Sequence, residues 1–159
     1  MKKYEFTGET KEIKLLFRTA VLHRIRATVS FGFVKIGDLG GWIEKEENLS
    51  HEGKAWVCGD AKVCGDAKVW GNAKVFSASH VLVIGAIGSR NDFTTFYRDK
   101  DNEITVKCGC FLGKIDRFLE KVTQTHGDSK YALVYRAAVE VAKLQIDLSG
   151  EAPKDADEE

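Results

Sequence analysis

The sequence predicts a mainly β fold with α: a short hexapeptide-repeat β-helix flanked by an N-terminal β cap and a C-terminal β-hairpin plus two-helix cap. Three observations predict it. Val57 to Lys74 reads VCGDAK, VCGDAK, VWGNAK, three hexads with Val, Gly, Asp or Asn, Ala and Lys at fixed places. Upstream, apolar and β-branched residues form short strand-like runs. After Gly113 the apolar period changes to that of amphipathic helices.

The N-terminal cap, residues 1–50, rests on the runs Tyr4 to Phe6, Leu22 to Val29 and Phe33 to Ile36, with Gly37-Asp38-Leu39-Gly40-Gly41 as a turn. Trp42 follows that turn and is expected to plug the open end of the coil. The repeat proper spans 51–86, extending forward through Val75 to His80 and Val81 to Ala86 as degenerate hexads. Six is even, so in extended backbone the Val and Ala of each hexad share a face, while Gly and Asp or Asn supply a corner. A coil of three hexads uses eighteen residues, and the Lys62, Lys68 and Lys74 side chains repeat on the outside. The competing arrangement is an antiparallel meander with Gly-Asp and Gly-Asn turns; strands of six-residue period would be too short to pair well in it.

From 87 to 148, a hairpin runs from Ile87 to Arg98, turns at Asp99 to Glu103 and returns through Ile104 to Phe111. Thr94, Phe96 and Arg98 are expected on one face, Thr95 and Tyr97 on the other. Ile115, Phe118, Leu119 and Val122, then Tyr131, Val134, Tyr135, Ala138, Val141 and Ala142, mark helices over 114–125 and 129–147, with Gly127 at the first helix's end and Asp128 as N-cap of the second. Residues 149–159 form an acidic tail expected to be disordered.

Composition narrows the function classes. The chain has 159 residues, 43% hydrophobic and 30% charged, as in an ordinary globular domain. Its 24 basic and 24 acidic residues cancel, so no overall basic field advertises nucleic acid or membrane. No apolar run approaches a membrane span, and the expected setting is cytoplasmic, with Cys58, Cys64, Cys108 and Cys110 reduced.

The stretches Gly37-Asp38-x-Gly40-Gly41-Trp42-Ile43, Asn48-Leu49-Ser50-His51-Glu52 and the GDAKV hexads resemble hexapeptide-repeat proteins of bacteriophages, prophages and some enterobacterial genomes. The block Ile87-Gly-Ser-Arg-Asn-Asp-Phe-Thr-Thr-Phe, Cys108-Gly-Cys-Phe and Thr125-His-Gly-Asp is similar to the segment that often follows such repeats in phage proteins of Gram-positive bacteria. The resemblance implies a fold like the left-handed β-helix of trimeric hexapeptide acyltransferases and a mobile-element origin. It implies no particular reaction, and the chain lacks the long inserted loop that would close over an acyl donor.

The leading expectation is therefore a phage accessory protein that binds a host protein or protein complex and inhibits a bacterial defence system, working in the host cytoplasm. A second is a binder, or sponge, for a nucleotide-like small molecule. A third is an acyltransferase-like enzyme with His80 or His51 as general base. No organised catalytic set is visible, so binding is expected rather than catalysis, with no cofactor.

For a ligand, Ser89, Arg90, Asn91, Thr94 and Thr95 combine a guanidinium, an amide and hydroxyls near a bend, groups suited to phosphate or carboxylate; the plain alternative is an Arg90–Asp92 pair and a hydroxyl-satisfied turn. For a protein partner, the candidate surface is Trp42, Trp70, Phe76, Lys62, Lys68 and Lys74. Cys108 and Cys110, two apart on a strand, with His126, are the remote candidate for a zinc site, and they lack the paired spacing that such sites use. Unpaired edges of a short β-helix also invite homo-oligomers.

Overall fold

The computed structural model describes residues 1–150 and 154–156 and is mainly β with two helices near the C-terminus. Strands β1 (Tyr4–Lys14) and β2 (Thr19–Ala27) form an antiparallel hairpin, and β3 (Leu39–Ile43) pairs antiparallel with β2. The expected strand at 33–36 is instead a tight turn closed by a Phe31–Val34 bridge, and the expected turn at 37–41 is half strand. Close approach explains the second difference. A Cβ on Gly40 would lie 2.6 Å from Ile25 Cγ1 and 2.7 Å from Trp56 Cζ2, and one on Gly41 would lie 2.7 Å from the Ala61 carbonyl oxygen. The two glycines let β3 lie directly against the repeats.

Within the repeats, β4 (Trp56–Val57), β5 (Lys62–Val63) and β6 (Lys74–Val75) are two-residue strands. Trp42 pairs in parallel with Lys62, Leu49 with Val69, and Trp56 with Lys74, so the chain returns alongside itself after eighteen to twenty residues. These ladders are parallel, unlike those of the meander alternative. Val57, Val63, Val69 and Val75 are buried together with Ala55, Ala61, Ala67 and Ala73, as the hexad alternation requires. Asn48 secures one corner: its amide donates to the carbonyls of Gly65 (3.0 Å) and Ala67 (2.9 Å), and its Oδ1 accepts from the Lys45 amide.

Val81 to Ala86 leave the repeat. They belong to β7 (Val81–Ile87), which pairs antiparallel with β8 (Asp92–Arg98), followed by β9 (Ile104–Cys108) and β10 (Phe111–Lys114) in a second sheet of order β10-β9-β8-β7. The segment VLVIGA has neither the Gly-Asx corner nor the Lys of a hexad, and its β-branched run extends instead of bending. Helices α1 (Ile115–His126) and α2 (Lys130–Gln145) cover one face of this sheet, where Phe96 and Val106 pack with Phe118, Val122, Tyr135 and Val139. Ser129, not Asp128, takes the N-cap position of α2, with extended backbone at φ −68°, ψ 169°. The opposite face of β8 closes the repeats: Tyr97 sits in their core, and the Thr95 hydroxyl accepts from the Lys68 amide at 2.9 Å.

Of the tail expected to be disordered, residues 151–153 and 157–159 lie outside the described residues, while 154–156 return to the N-terminal part. The Ala156 amide donates to the Gly32 carbonyl, and Asp155, 1% exposed, stands 3.1 Å from Lys74 Nζ and 3.5 Å from Lys54 Nζ. Among the described residues no helix is long and apolar enough to cross a membrane.

Candidate ligand cleft

Two sheet turns and the end of α1 meet at one edge of the second sheet. The β7–β8 turn brings Ser89, Arg90 and Asp92; the β9–β10 turn brings Cys108, Gly109, Cys110 and Phe111; α1 adds Phe118, Lys121, Thr125 and His126, and α2 adds Tyr135. Together they enclose a cleft of about 250 Å³. Its floor is aromatic: Phe118 packs edge-on to Tyr135 with centroids 5.6 Å apart and lies 5.4 Å from Phe111. His126 stacks on Tyr135 at 5.8 Å. The rim is basic, with Arg90 and Lys121 exposed and His126 half-buried, against the single carboxylate of Asp92. Burial and the neighbouring Cys108 thiol push the Tyr135 hydroxyl up to about 12, so it stays protonated and can donate a hydrogen bond.

Only two of the five residues expected to bind a ligand line this cleft, Ser89 and Arg90. Asn91 takes the left-handed corner of the turn (φ 49°), its amide donating to the Gly88 carbonyl. Thr94 and Thr95 are buried: the Thr94 hydroxyl donates to Cys108 Sγ at 3.3 Å, and that of Thr95 faces the repeats. Among the described residues no ion pair joins Arg90 to Asp92, whose carboxylate accepts from the Phe93 amide. Lys121, Phe111, Phe118 and Tyr135 were not singled out as ligand residues from the sequence. The available signal was the amphipathic edge of α1, where Lys121 and Thr125 flank the apolar Phe118 and Val122.

The thiols are arranged differently from the expectation. Cys108 ends β9 and pairs with Phe111, so Gly109 and Cys110 form a two-residue turn, with Cys110 exposed and Cys108 half-buried. His126 lines the same cleft, yet among the described residues no group of three His, Cys, Asp or Glu side chains is placed to hold a metal ion.

The six residues expected to form one contact surface are divided. Lys62 and Lys68 are exposed, but Lys74 is buried beneath Phe33, its Nζ 5.1 Å from the ring centroid. Trp42 is buried with Ala20 and Leu22 against the β1–β2 hairpin, with Lys11 Nζ 4.3 Å over its ring. Trp70 lies under Lys107, and Phe76 stacks on Phe33 at 5.7 Å. One hexad position falls on successive sides of the coil, and each side has a different neighbour. His51 and His80 are structural: His51 Nδ1 accepts from the Lys3 amide and its ring stacks on Tyr4, while His80 Nδ1 accepts from the Phe76 amide.

No family model matches this chain, and none of the curated proteins compared with it matches.

Proposed function

We propose that the chain is a binding protein for a small anionic molecule with a planar apolar part, nucleotides being the chemical class that combines both. One observation carries this reading: Arg90 from the β7–β8 turn and Lys121 and His126 from α1 converge over the aromatic floor of Phe111, Phe118 and Tyr135. The guanidinium and ammonium suit phosphate oxygens, and the rings suit a base. Calorimetric titration with a panel of nucleotides, with inorganic phosphate and free nucleobases as controls, tests it. Binding by a nucleotide that weakens roughly tenfold or more in Arg90→Ala and Lys121→Ala is the expected result. No binding across the panel, or binding indifferent to both substitutions, sinks it.

The proposal extends to the setting. The parallel ladders at an offset of eighteen to twenty residues and the buried Val and Ala of the hexads support a short left-handed β-helix, and with it the phage hexapeptide-repeat family. Within that family a ligand cleft favours an accessory protein that sequesters a host nucleotide signal in the cytoplasm. Capture of a host protein through the hexad side chains has less support, because Trp42 and Lys74 are buried. Acyl transfer has less again, since His51 and His80 each commit Nδ1 to a backbone amide.

A further inference from the structure

The cleft holds one charge that a phosphate cannot use. Arg90 and Lys121 bring cations to its rim, and the Asp92 carboxylate stands among them. Asp92 opens β8 opposite Ile87, and strand alternation puts it on the same side as Thr94 and Phe96, the side that the helices cover. It lies close enough to the Tyr135 hydroxyl to raise its pKa, while Arg90 acts on the same hydroxyl in the opposite direction.

Among the described residues Arg90, Lys121 and Asp92 form no ion pair, although Arg90 and Asp92 are only two positions apart. Asp92 Oδ1 accepts from the amide of its own neighbour Phe93 at 2.7 Å, and Oδ2 has no hydrogen-bond partner among those residues. A free carboxylate oxygen in an aromatic-floored cleft is complementary to a donor on the ligand and not to its phosphate.

The chemistry of the bases decides which donor fits. With a planar ring laid on Phe111, Phe118 and Tyr135, a carboxylate beside it meets the edge of the ring. Guanine presents two adjacent N–H donors on one edge, N1–H and the 2-amino group, and a carboxylate accepts both at once. Adenine and cytosine offer an amino group beside a bare ring nitrogen, and uracil offers one N–H between two carbonyls. Each of these sets a lone pair against the carboxylate. Size agrees: at about 250 Å³ the cleft is smaller than the roughly 300–1,000 Å³ of pockets that enclose drug-sized ligands, so it takes the base and leaves sugar and phosphate at the basic rim.

We propose that Asp92 selects guanine: the ligand of the cleft is a guanine nucleotide whose N1–H and 2-amino group donate to the Asp92 carboxylate while Arg90 and Lys121 hold its phosphate. This assignment rests on the nucleotide reading of the cleft and adds the identity of the base.

Calorimetric titration of the full chain with the 5′-monophosphates of guanosine, inosine, xanthosine, adenosine, cytidine and uridine tests it. All carry the same phosphate, so differences among them report the base. The guanosine nucleotide is expected to bind roughly tenfold or more tighter than those of adenosine, cytidine and uridine, and the inosine nucleotide, which lacks the 2-amino group, falls between. Asp92→Asn keeps an acceptor for the Phe93 amide and replaces one oxygen by a donor. It should weaken the guanosine nucleotide roughly tenfold and strengthen the xanthosine nucleotide, whose 2-carbonyl accepts from the new amide. Asp92 is exposed, so the variant is expected to melt with the wild type, and the wild-type series stands independently of it.

An adenosine, cytidine or uridine nucleotide that binds as tightly as the guanosine one overturns the assignment; if Arg90→Ala and Lys121→Ala still weaken that binding, the nucleotide reading itself stands. A guanosine preference untouched by Asp92→Asn overturns the role of Asp92. Absence of binding by the whole series overturns both.

Discussion

The Tyr135 hydroxyl and Gly88 stand so close that a Cβ placed on residue 88 would lie 1.9 Å from Oη and 2.6 Å from Cζ. Gly88 also has φ +81°, in the region that L side chains rarely adopt. This contact seats the Ser89–Arg90 turn on α2, and so sets one wall of the cleft against its floor.

Gly88→Ala is therefore expected to destabilise the fold by about 2–4 kcal/mol, from overpacking together with left-handed backbone strain. Tyr135→Phe relieves only the nearer contact, since Cζ remains. Chemical denaturation of both single variants and the double variant checks this: the double variant should recover part of the loss and not all of it.

Asp155 and Lys74 are both about 1% exposed and 3.1 Å apart. Replacing the buried Asp155 carboxylate weakens what holds Lys74 and Lys54 there, so Asp155→Asn should cost about 1–3 kcal/mol. Ending the chain after Gly150 should cost a similar amount. Urea midpoints of both variants measure it, and an unchanged midpoint in each would remove Asp155 from the account of stability.

Arg18 grips Glu44 with two hydrogen bonds, 2.6 and 2.9 Å, and the Gly65 amide adds a third at 3.0 Å. These bonds hold the Glu44 carboxyl at about 2, below its ordinary 4.5, against the opposing pull of burial. A carboxylate depressed in the folded state stabilises above the unfolded value and loses that contribution as pH falls through the folded one. The melting-temperature gap between the wild type and Glu44→Gln should thus be full above pH 4.5 and shrink towards pH 2. A gap constant over that window contradicts the pairing.

The four thiols should separate by reactivity. Cys110 is exposed on its turn, whereas burial pushes the Cys58 thiol up to about 12, leaving almost no thiolate near neutrality. Alkylation followed by peptide mass spectrometry should label Cys110 first and Cys58 only on unfolding. Because Cys110 lines the cleft, a bound nucleotide should also slow its labelling, which an unoccupied cleft would not.

Much of the architecture was legible because it is encoded at short range. Valine and alanine on one shared face, with glycine at the corner, describe a coil whatever surrounds it; Gly59, Gly65 and Gly71 all adopt the left-handed backbone that such corners need. The helices, at 115–126 and 130–145, follow the apolar period to within two residues at each end. The strand at Val81 was less legible, since a β-branched run reads equally as a degenerate hexad and as a sheet strand until its partner, Phe96 and its neighbours, is in place.

The candidate site was legible only in part. Ser89 and Arg90 stood out from their chemistry, and Cys108, Cys110 and His126 from theirs, but as separate groups with separate purposes. Nothing local says that these segments share one cleft with Lys121 and Tyr135.

Sequence by itself thus determined the coil, the helices and the types of side chain available, because each depends on neighbours a few residues away. Tertiary structure decided which of those side chains meet and which reach water. Lys62, Lys68 and Lys74 occupy the same hexad position, yet the first two are exposed and the third is buried under Phe33 and beside Asp155. Burial depends on what packs from outside the repeat, and those contacts join residues forty to eighty positions apart.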